Sequence, residues 1–507
     1  MRGQLNKLIK KYKNIKNIFI KTADERRDEI LTGPIIKTLL VLAIPVMVSS
    51  ALHTAFNIVD TFWLGRLGSA EVGAPTAAWP FIFTFLAIGM GLSTAGVSLV
   101  SQHTGAGGKK KANEAAGQVF GFIMIIGIVT AAIGFLTAPL ILKLVGTPKD
   151  VLPLATSYLR IVLLSMPFIF AYISFRFLLR GIGDMVTPML IRGVLVIVNL
   201  LLDPILIFGS GPIPVIGITV PEIPYLGPIP ALGVTGAAIA TALARTTAAL
   251  VGIYLLFNGK VDIKLSLKDL KLKLRWIKQI VNIGAPATLA RSGSALGFVA
   301  LFGLVAIFGE KPVAAYGIGR RVIHIITIAI WGFAGASMTM VGQNIGAENQ
   351  ARGEEIVKKA IFVAALIMFS IAVGMVLFRT SIISFFINDT AVIEEGARYM
   401  LIFALSIPFF GIYRIFDSTY RGTGHTVPAM ILSLFRIWGL RLFLSAIFAL
   451  PSIKFYGFTL MNFGFDMGVV GVWYGMAASN ITAAGLSALY FITGRWKEKT
   501  IKENEEE

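Results

Sequence analysis

Long apolar segments, separated by short stretches that contain glycine, proline or charged residues, recur along the whole chain of 507 residues. A segment of about 20 apolar residues can cross a bilayer as an α-helix. Twelve segments of this kind can be delimited, at residues 35–63, 72–104, 114–144, 150–181, 187–208, 233–257, 279–308, 313–345, 354–379, 393–421, 427–449 and 468–494. The pattern therefore predicts an all-α polytopic membrane protein with twelve transmembrane helices.

The composition agrees with this prediction and excludes other classes of protein. Hydrophobic residues make up 56% of the chain and charged residues only 14%, whereas a soluble domain has about 25% charged residues. Cysteine is absent, which rules out a disulfide scaffold and thiolate chemistry. The four histidines are far apart and follow no metal-ligand spacing. We therefore predict that the protein is not an enzyme and has no metal or organic cofactor.

The net charge of +19 indicates membrane topology rather than a nucleic-acid partner, because the basic residues lie mainly at helix ends and in short loops. They are concentrated in the N-terminal arm 1–33, the loop 109–111 and the linker 258–278, whereas the loop 209–232 contains neither lysine nor arginine. The positive-inside rule places the arm, the loop 109–111 and the linker in the cytoplasm, and the even number of helices places the polar tail 495–507 there as well. We expect a protein of the cytoplasmic membrane with both termini inside the cell.

The second half of the chain repeats the first with a shift of 241 residues. The shift aligns Gln102-x-x-Gly105-Ala106 with Gln343-x-x-Gly346-Ala347, and Arg180-Gly181-x-Gly183 with Arg421-Gly422-x-Gly424. The repeats predict two pseudo-symmetric lobes of six helices, an N-terminal lobe at 34–257 and a C-terminal lobe at 279–494. Because six is an even number, both lobes insert with the same orientation, related by an axis along the membrane normal.

Several motifs resemble those of a known family of transporters. They are the two repeated elements, Leu42-Ala43-Ile44-Pro45 and Asn57-Ile58-Val59-Asp60 in the first helix, and Asn199-Leu200-Leu201-Leu202-Asp203-Pro204 in the fifth. In this order they resemble the multidrug and toxic compound extrusion (MATE) family, in its prokaryotic DinF-type branch. The resemblance implies a V-shaped bundle of two lobes that works by alternating access. It implies an antiporter that expels amphipathic small molecules, often cationic, and is driven by inward flow of protons or sodium.

The wider superfamily offers an alternative function. It also contains flippases of lipid-linked oligosaccharides, which would be expected to line a central cleft with basic residues for a pyrophosphate. Arg291, Arg320, Arg321 and Arg436 keep this alternative open. In either case we expect a monomer in a lipid bilayer.

Two acidic residues lie inside predicted helices, where an ionisable group costs about 2.5–3.5 kcal/mol and is a functional candidate by default. Asp60 belongs to the first helix and Asp203 to the fifth. The repeat aligns Asp60 with Leu301, so the second lobe has no equivalent carboxylate at that position. The sequence therefore predicts a coupling site in the N-terminal lobe only.

Helical spacing gives each acid polar neighbours. His53, Asn57 and Asp60 lie on one face of the first helix. Asn199 precedes Asp203 by one turn, and Arg192 lies on the same stripe. If the two helices face each other, burial and repulsion between the carboxyl groups both favour the protonated form, as a proton carrier requires.

The resemblance implies roles for these residues. Asp60 and Asp203 would be the acids that couple to the cation, with Asn199 as their partner. We favour a proton, but Asp60, Asn199 and Asp203 also offer oxygen ligands for sodium. His53, Asn57, Tyr158, Arg176 and Arg192 are candidates for lining the substrate cavity.

Structural roles are the alternatives to these assignments. Asp60 could be a charge at a helix end, and Asp203 could form a salt bridge with Arg192 or another arginine. His53 could be a core histidine with its hydrogen bonds satisfied, and Asn57 could bond one helix to another.

Pro45 lies inside the first predicted helix. A proline there removes one backbone hydrogen bond and favours a kink. We expect this kink to act as a hinge that responds to protonation of Asp60 or Asp203; a static kink is the alternative.

Asp417 in the tenth helix has Arg414 three residues before it and Arg421 four residues after it. This spacing predicts a structural ion pair. The sequence does not decide the role of Arg436 and Arg441 in the eleventh helix.

Overall fold

The structure, a computed structural model, describes residues 21–210, 213–215, 218–220, 230–455, 458–461 and 463–501. In chain order the α-helices are α1 (Ala23–Thr32), α2 (Ile35–Leu64), α3 (Ser69–Gly105), α4 (Lys109–Leu144), α5 (Leu152–Leu164), α6 (Met166–Gly181), α7 (Val186–Phe208), α8 (Gly233–Phe257), α9 (Leu274–Ala306), α10 (Glu310–Gly346), α11 (Gln350–Ser384), α12 (Thr390–Ala404), α13 (Ile407–Gly422), α14 (Thr426–Leu434), α15 (Phe443–Ala449) and α16 (Val469–Ile492). A π-helical segment (Phe435–Leu442) joins α14 to α15, and a 3₁₀ turn (Arg495–Lys497) follows α16.

Two short antiparallel hairpins lie between membrane-spanning helices. The first pairs β1 (Ile213–Val215) with β2 (Ile218–Val220), and the second pairs β3 (Ile453–Phe455) with β4 (Phe458–Met461). The pattern of apolar residues did not predict either hairpin, because each strand has only three or four residues. The all-α prediction is confirmed for the spans themselves.

Among the described residues, ten helical segments are long and apolar enough to cross a membrane, and two bent helix pairs bring the number to twelve. The pairs are α5 with α6, bent by 51°, and α12 with α13, bent by 52°. The sequence pattern predicted each pair as one continuous helix, at 150–181 and 393–421, and this was wrong. A proline in the first turn of each second helix, Pro167 and Pro408, lacks the backbone N–H that would continue the preceding helix.

The chain packs as two compact units. The C-terminal unit consists of residues 24–44, 101–107 and 283–507, and the N-terminal unit contains 45–100 and 108–282. The units therefore differ from the sequence repeats, because the start of α2 and the end of α3 belong to the C-terminal unit.

Inside the N-terminal unit, α7 packs closely against α8. The buried residues of α7 recur every three or four positions, as on one face of a helix: Pro188, Ile191, Arg192, Leu195, Asn199, Asp203 and Ile207. Small residues on α8 allow the close approach, since a Cβ added at Gly236 would lie only 2.1 Å from the carbonyl oxygen of Leu206. This contact brings the polar stripe of α7 next to α8.

In the C-terminal unit, the repeated Gln-x-x-Gly element joins the ends of α3 and α10. A Cβ at Gly105 would lie 1.9 Å from the carbonyl oxygen of Gln343, and one at Gly346 would lie 2.0 Å from that of Gln102. Each glycine of the repeat thus packs against the glutamine backbone of the other copy. Even an alanine would not fit there without moving the helices apart.

Parts of the arm, the tail and the linker, which were predicted to lie in the cytoplasm, pack against other residues of the protein. Within the arm 1–33, α1 is held by Arg27, which donates hydrogen bonds of 2.9 Å to the carbonyl oxygens of Thr104 and Gly105. Within the tail 495–507, Trp496 is fully buried. In the linker 258–278, the side chain of Gln118 bonds the backbone of Asp269 and Lys271. The cytoplasmic location of these segments stays a prediction.

Some predictions fall on residues outside the described ones. These residues are 1–20 of the arm, 502–507 of the tail, and 211–212, 216–217 and 221–229 of the loop 209–232.

Candidate functional site

An acid and an amide lie together at the centre of the polar stripe of α7. Asn199 and Asp203 both have no solvent-exposed surface. The Nδ2 of Asn199 donates a 2.9 Å hydrogen bond to the Oδ1 of Asp203. Because the two residues are one helical turn apart, the helix itself holds them in contact.

The second acid comes from α2 and meets this pair. Asp60 is partly buried and has Asp203 and Asn199 as near neighbours. Thr241 on α8 donates from its hydroxyl to the Oδ2 of Asp60 at 3.5 Å. The structure thus brings both predicted acids to one place, and we name Asp60, Asn199, Asp203 and Thr241 the acidic cluster.

Three acceptor atoms of the acidic cluster have no hydrogen-bond partner among the described residues, although they are buried. They are Oδ1 of Asp60, Oδ2 of Asp203 and Oδ1 of Asn199. Buried acceptors are almost always paired in folded proteins. A proton on one carboxyl group would supply a donor for one of the other oxygens, and a small cation between the oxygens would interact with several of them.

Tyr158 and Arg245 lie beside the acidic cluster. Tyr158, a predicted cavity residue, is buried and has Asp60 and Asp203 as charged neighbours. Arg245 is a charged neighbour of Asp60, Tyr158 and Arg192. Sequence reasoning missed Arg245, although it is the only charged residue of the segment 233–257 and lies one turn after Thr241.

Arg192 and Arg176 form a separate group around an aromatic ring. The guanidinium carbon of Arg192 lies 5.6 Å from the ring centre of Tyr172, and that of Arg176 lies 5.5 Å from it. Arg192 is buried and makes no salt bridge with Asp203, and among the described residues no other arginine does, so the structure does not support the salt-bridge alternative for Asp203. The helical stripe places the two residues three turns apart, which is too far for a direct pair.

The two other residues of the predicted α2 stripe are not buried by neighbouring helices. The side chains of His53 and Asn57 are both exposed, in contrast to Asp60. His53 is therefore not a core histidine, as its structural alternative required. Helical spacing identified the shared face correctly, but it does not show where along that face a neighbouring helix packs.

In the C-terminal unit an apolar residue takes the place of Asp60, and the predicted acid of the tenth helix lies at an unrelated position of the repeat. Leu301, the counterpart of Asp60, is 1% exposed. Asp417 pairs with Arg414 at 2.8 Å and with Arg421 at 2.9 Å. The predicted structural ion pair is thereby confirmed.

Comparison with known proteins gives a consistent result. Residues 45–205 and 286–447 each match the model of the MatE family. The probable multidrug resistance protein YpnP of Bacillus subtilis is 27% identical over 473 residues, which are 92% of this chain and 96% of YpnP. The probable multidrug resistance protein NorM of Thermotoga maritima is 26% identical, over 92% of this chain and 94% of NorM.

A solved structure shows the same fold. It is the outward-facing conformation of a multidrug resistance MATE family transporter, with a TM-score of 0.80 and 22% identity. The similarity covers 92% of this chain and 97% of that one.

Proposed function

Because the chain belongs to the MatE family, we propose that it is a secondary active efflux antiporter of the cytoplasmic membrane. It exports amphipathic small molecules, organic cations among them, in exchange for protons that flow inward. It works as a monomer, with both termini in the cytoplasm. The names of the relatives support multidrug efflux rather than catalysis, and they do not favour the flippase alternative.

One observation carries the proposed coupling: two carboxyl groups meet in the interior of the N-terminal unit with acceptor oxygens that no described donor satisfies. A charge in the membrane interior is expensive and is kept there for a function. When both groups are ionised, they repel each other; one added proton removes that repulsion and supplies a donor for an orphaned oxygen. Proton loading and release at this cluster therefore changes its local charge and its hydrogen bonds.

Arg245 supports the ionised state of the cluster. Its charge acts on Asp60 from α8, one turn beyond Thr241. When the proton leaves, Arg245 stabilises the carboxylate that remains; when the proton binds, this attraction weakens. A cationic substrate competes with Arg245 and the proton for the same negative charge, which provides a physical basis for exchange.

Transport of ethidium, an organic cation with useful fluorescence, tests the proposed coupling. In proteoliposomes with an acidic interior, outward proton flow is expected to drive ethidium uptake against its concentration gradient. An outward sodium gradient at equal pH is expected to drive none. Uptake under the sodium gradient alone would identify sodium as the coupling ion, and uptake under neither gradient would refute the antiport proposal.

Pro45 is proposed as the hinge of α2. It lies inside this helix, and the helix changes from the C-terminal to the N-terminal unit at that residue. A proline weakens a helix at one turn because it removes a hydrogen bond there. Bending at Pro45 would move Asp60, which lies on the same helix about four turns away.

Replacing Pro45 with alanine is expected to slow proton-driven ethidium uptake while ethidium binding remains. Uptake rates and equilibrium binding of the purified protein would be compared with those of Pro139→Ala, which removes a proline from the interior of α4. Full transport by Pro45→Ala would show that the kink is static.

A further inference from the structure

The interior of the C-terminal unit carries positive charge where the N-terminal unit carries the acidic cluster. Arg436 and Arg441 are only 6% and 4% exposed. The sequence repeat aligns them with Leu195 and Leu200 of α7, and it aligns the acids Asp60 and Asp203 with Leu301 and Leu444. The helix that carries Asp203 and Arg192 in the first half thus corresponds to the segment that carries Arg436 and Arg441, but no acid, in the second half.

The π-helical segment brings the two arginines together. In an α-helix, residues five apart point about 140° away from each other. Arg436 and Arg441 are the second and seventh residues of the segment Phe435–Leu442, in which backbone bonds join residues five apart. Their side chains therefore share one face. Such segments frequently occur at functional sites.

Both guanidinium groups reach the same neutral acceptor. The Oδ1 of Asn480 accepts from Nη2 of Arg441 at 2.6 Å and from Nη1 of Arg436 at 3.4 Å. Arg441 also donates from Nε to the hydroxyl of Ser479 at 3.0 Å. A neutral amide satisfies some donors, but it does not balance two positive charges.

No carboxylate within the described residues balances them either. Asp417 is fully engaged with Arg414 and Arg421, and neither Arg436 nor Arg441 forms an ion pair. Nε of Arg436 is buried without a hydrogen-bond partner among these residues, and so is the hydroxyl of Tyr413. The Arg436 guanidinium carbon lies 4.8 Å from the ring centre of Tyr413, so both unused donors belong to one place.

Aromatic side chains surround the two arginines. The guanidinium carbon of Arg436 also lies 5.7 Å from the ring centre of Phe410. Tyr316, Tyr399 and Tyr413 are neighbours of Arg441. Tyr399 lies 4.5 Å from Trp473, ring centre to ring centre. These rings supply no counter-charge for the arginines; they would contact the apolar part of a ligand whose oxyanion met the guanidinium groups.

We propose that Arg436, Arg441 and Tyr413 bind the negatively charged group of an amphipathic molecule, which is a carboxylate, a sulfonate or a phosphate attached to an apolar carrier. Two buried charges that lack a counter-charge are stabilised when such a group enters. The proposal goes beyond the export of cations. It does not depend on proton coupling, because binding is measured without any ion gradient.

Calorimetric titration of the full chain in phosphatidylcholine nanodiscs tests the site. The probes share one carrier: naphthalene-2-sulfonate, the matching naphthylmethylammonium and the neutral naphthalenemethanol. We expect the sulfonate to bind tightest, and Arg436→Gln to weaken its binding at least about tenfold, as loss of a charge-assisted bond of about 1.5–3 kcal/mol implies. Arg379→Gln, which removes a partly exposed arginine of α11 in the same unit that bonds only the carbonyl oxygen of Val376 in its own helix among the described residues, should bind the sulfonate as the wild type does.

A second variant retains both buried arginines, so we expect it to fold as the wild type does. Asn480→Asp places a carboxylate between the two guanidinium groups, so it should weaken sulfonate binding at least about tenfold without lowering the unfolding temperature. Sulfonate binding no tighter than that of the ammonium probe, or wild-type affinity in both variants, would overturn the proposal.

The same titration identifies the source of the anion. Nanodiscs that contain phosphatidylglycerol should weaken sulfonate binding if a lipid phosphate occupies the site. Unchanged binding would assign the site to a water-soluble amphipathic anion.

Discussion

Replacing Asp203 with asparagine is expected to reduce proton-driven ethidium uptake to the level of liposomes without protein. The amide has almost the same shape, and its oxygen can still accept the hydrogen bond from Asn199, so the fold should be retained. It cannot load or release a proton, however, and it removes one of the two interacting charges. Uptake in proteoliposomes under the imposed proton gradient measures the effect.

Asp150→Asn is the matched control for this experiment. Asp150 is an exposed residue of the same unit, in the loop between α4 and α5, and its replacement should leave uptake unchanged. Wild-type uptake by Asp203→Asn, under a proton or a sodium gradient, would remove Asp203 from the coupling mechanism. Loss of uptake together with a lower unfolding temperature would instead indicate a structural role.

Replacing Asp417 with alanine is expected to destabilise the protein by about 3–5 kcal/mol, because it leaves the buried Arg421 and the partly buried Arg414 without their counter-charge. The carboxylate is 2% exposed and pairs with both Arg414 and Arg421. Unfolding of the detergent-solubilised protein, followed by intrinsic fluorescence as denaturant or temperature rises, measures the loss.

Glu355→Ala provides the comparison for the Asp417 variant. Glu355 pairs with Lys359 at 2.6 Å, but both side chains are about half exposed, and solvent screens such a pair. This variant should unfold as the wild type does. If Asp417→Ala unfolded equally late, the buried ion pair would contribute nothing to stability.

Much of the fold could be predicted because it depends on local sequence. Apolar length determined the twelve spans, and the internal repeat determined the six-plus-six organisation. The helical period placed Arg192, Asn199 and Asp203 on one buried stripe of α7. The two bends after α5 and α12 could also have been predicted, because Pro167 and Pro408 lie at them. The prediction used hydropathy alone, however, and therefore treated each pair as one helix.

The candidate site was predictable only in part. Asp60 and Asp203 could be identified because a carboxylate inside an apolar helix is costly wherever that helix packs. Arg245 was missed because its significance depends on the approach of α8 to α2 and α7. Likewise, His53 and Asn57 share the face of Asp60, but the sequence does not show where along that face neighbouring helices cover it.

The sequence by itself determined which segments cross the membrane, how they repeat and which helices carry ionisable groups, because each of these follows from the period and polarity of neighbouring residues. Only the tertiary structure decided which polar groups meet. The contacts of Asp60 with Asp203, and of Arg436 and Arg441 with Asn480, join residues that are far apart in the chain. Close packing at single positions such as Gly236, and the π-helical segment, bring these side chains together, and hydropathy carries no signal for either feature.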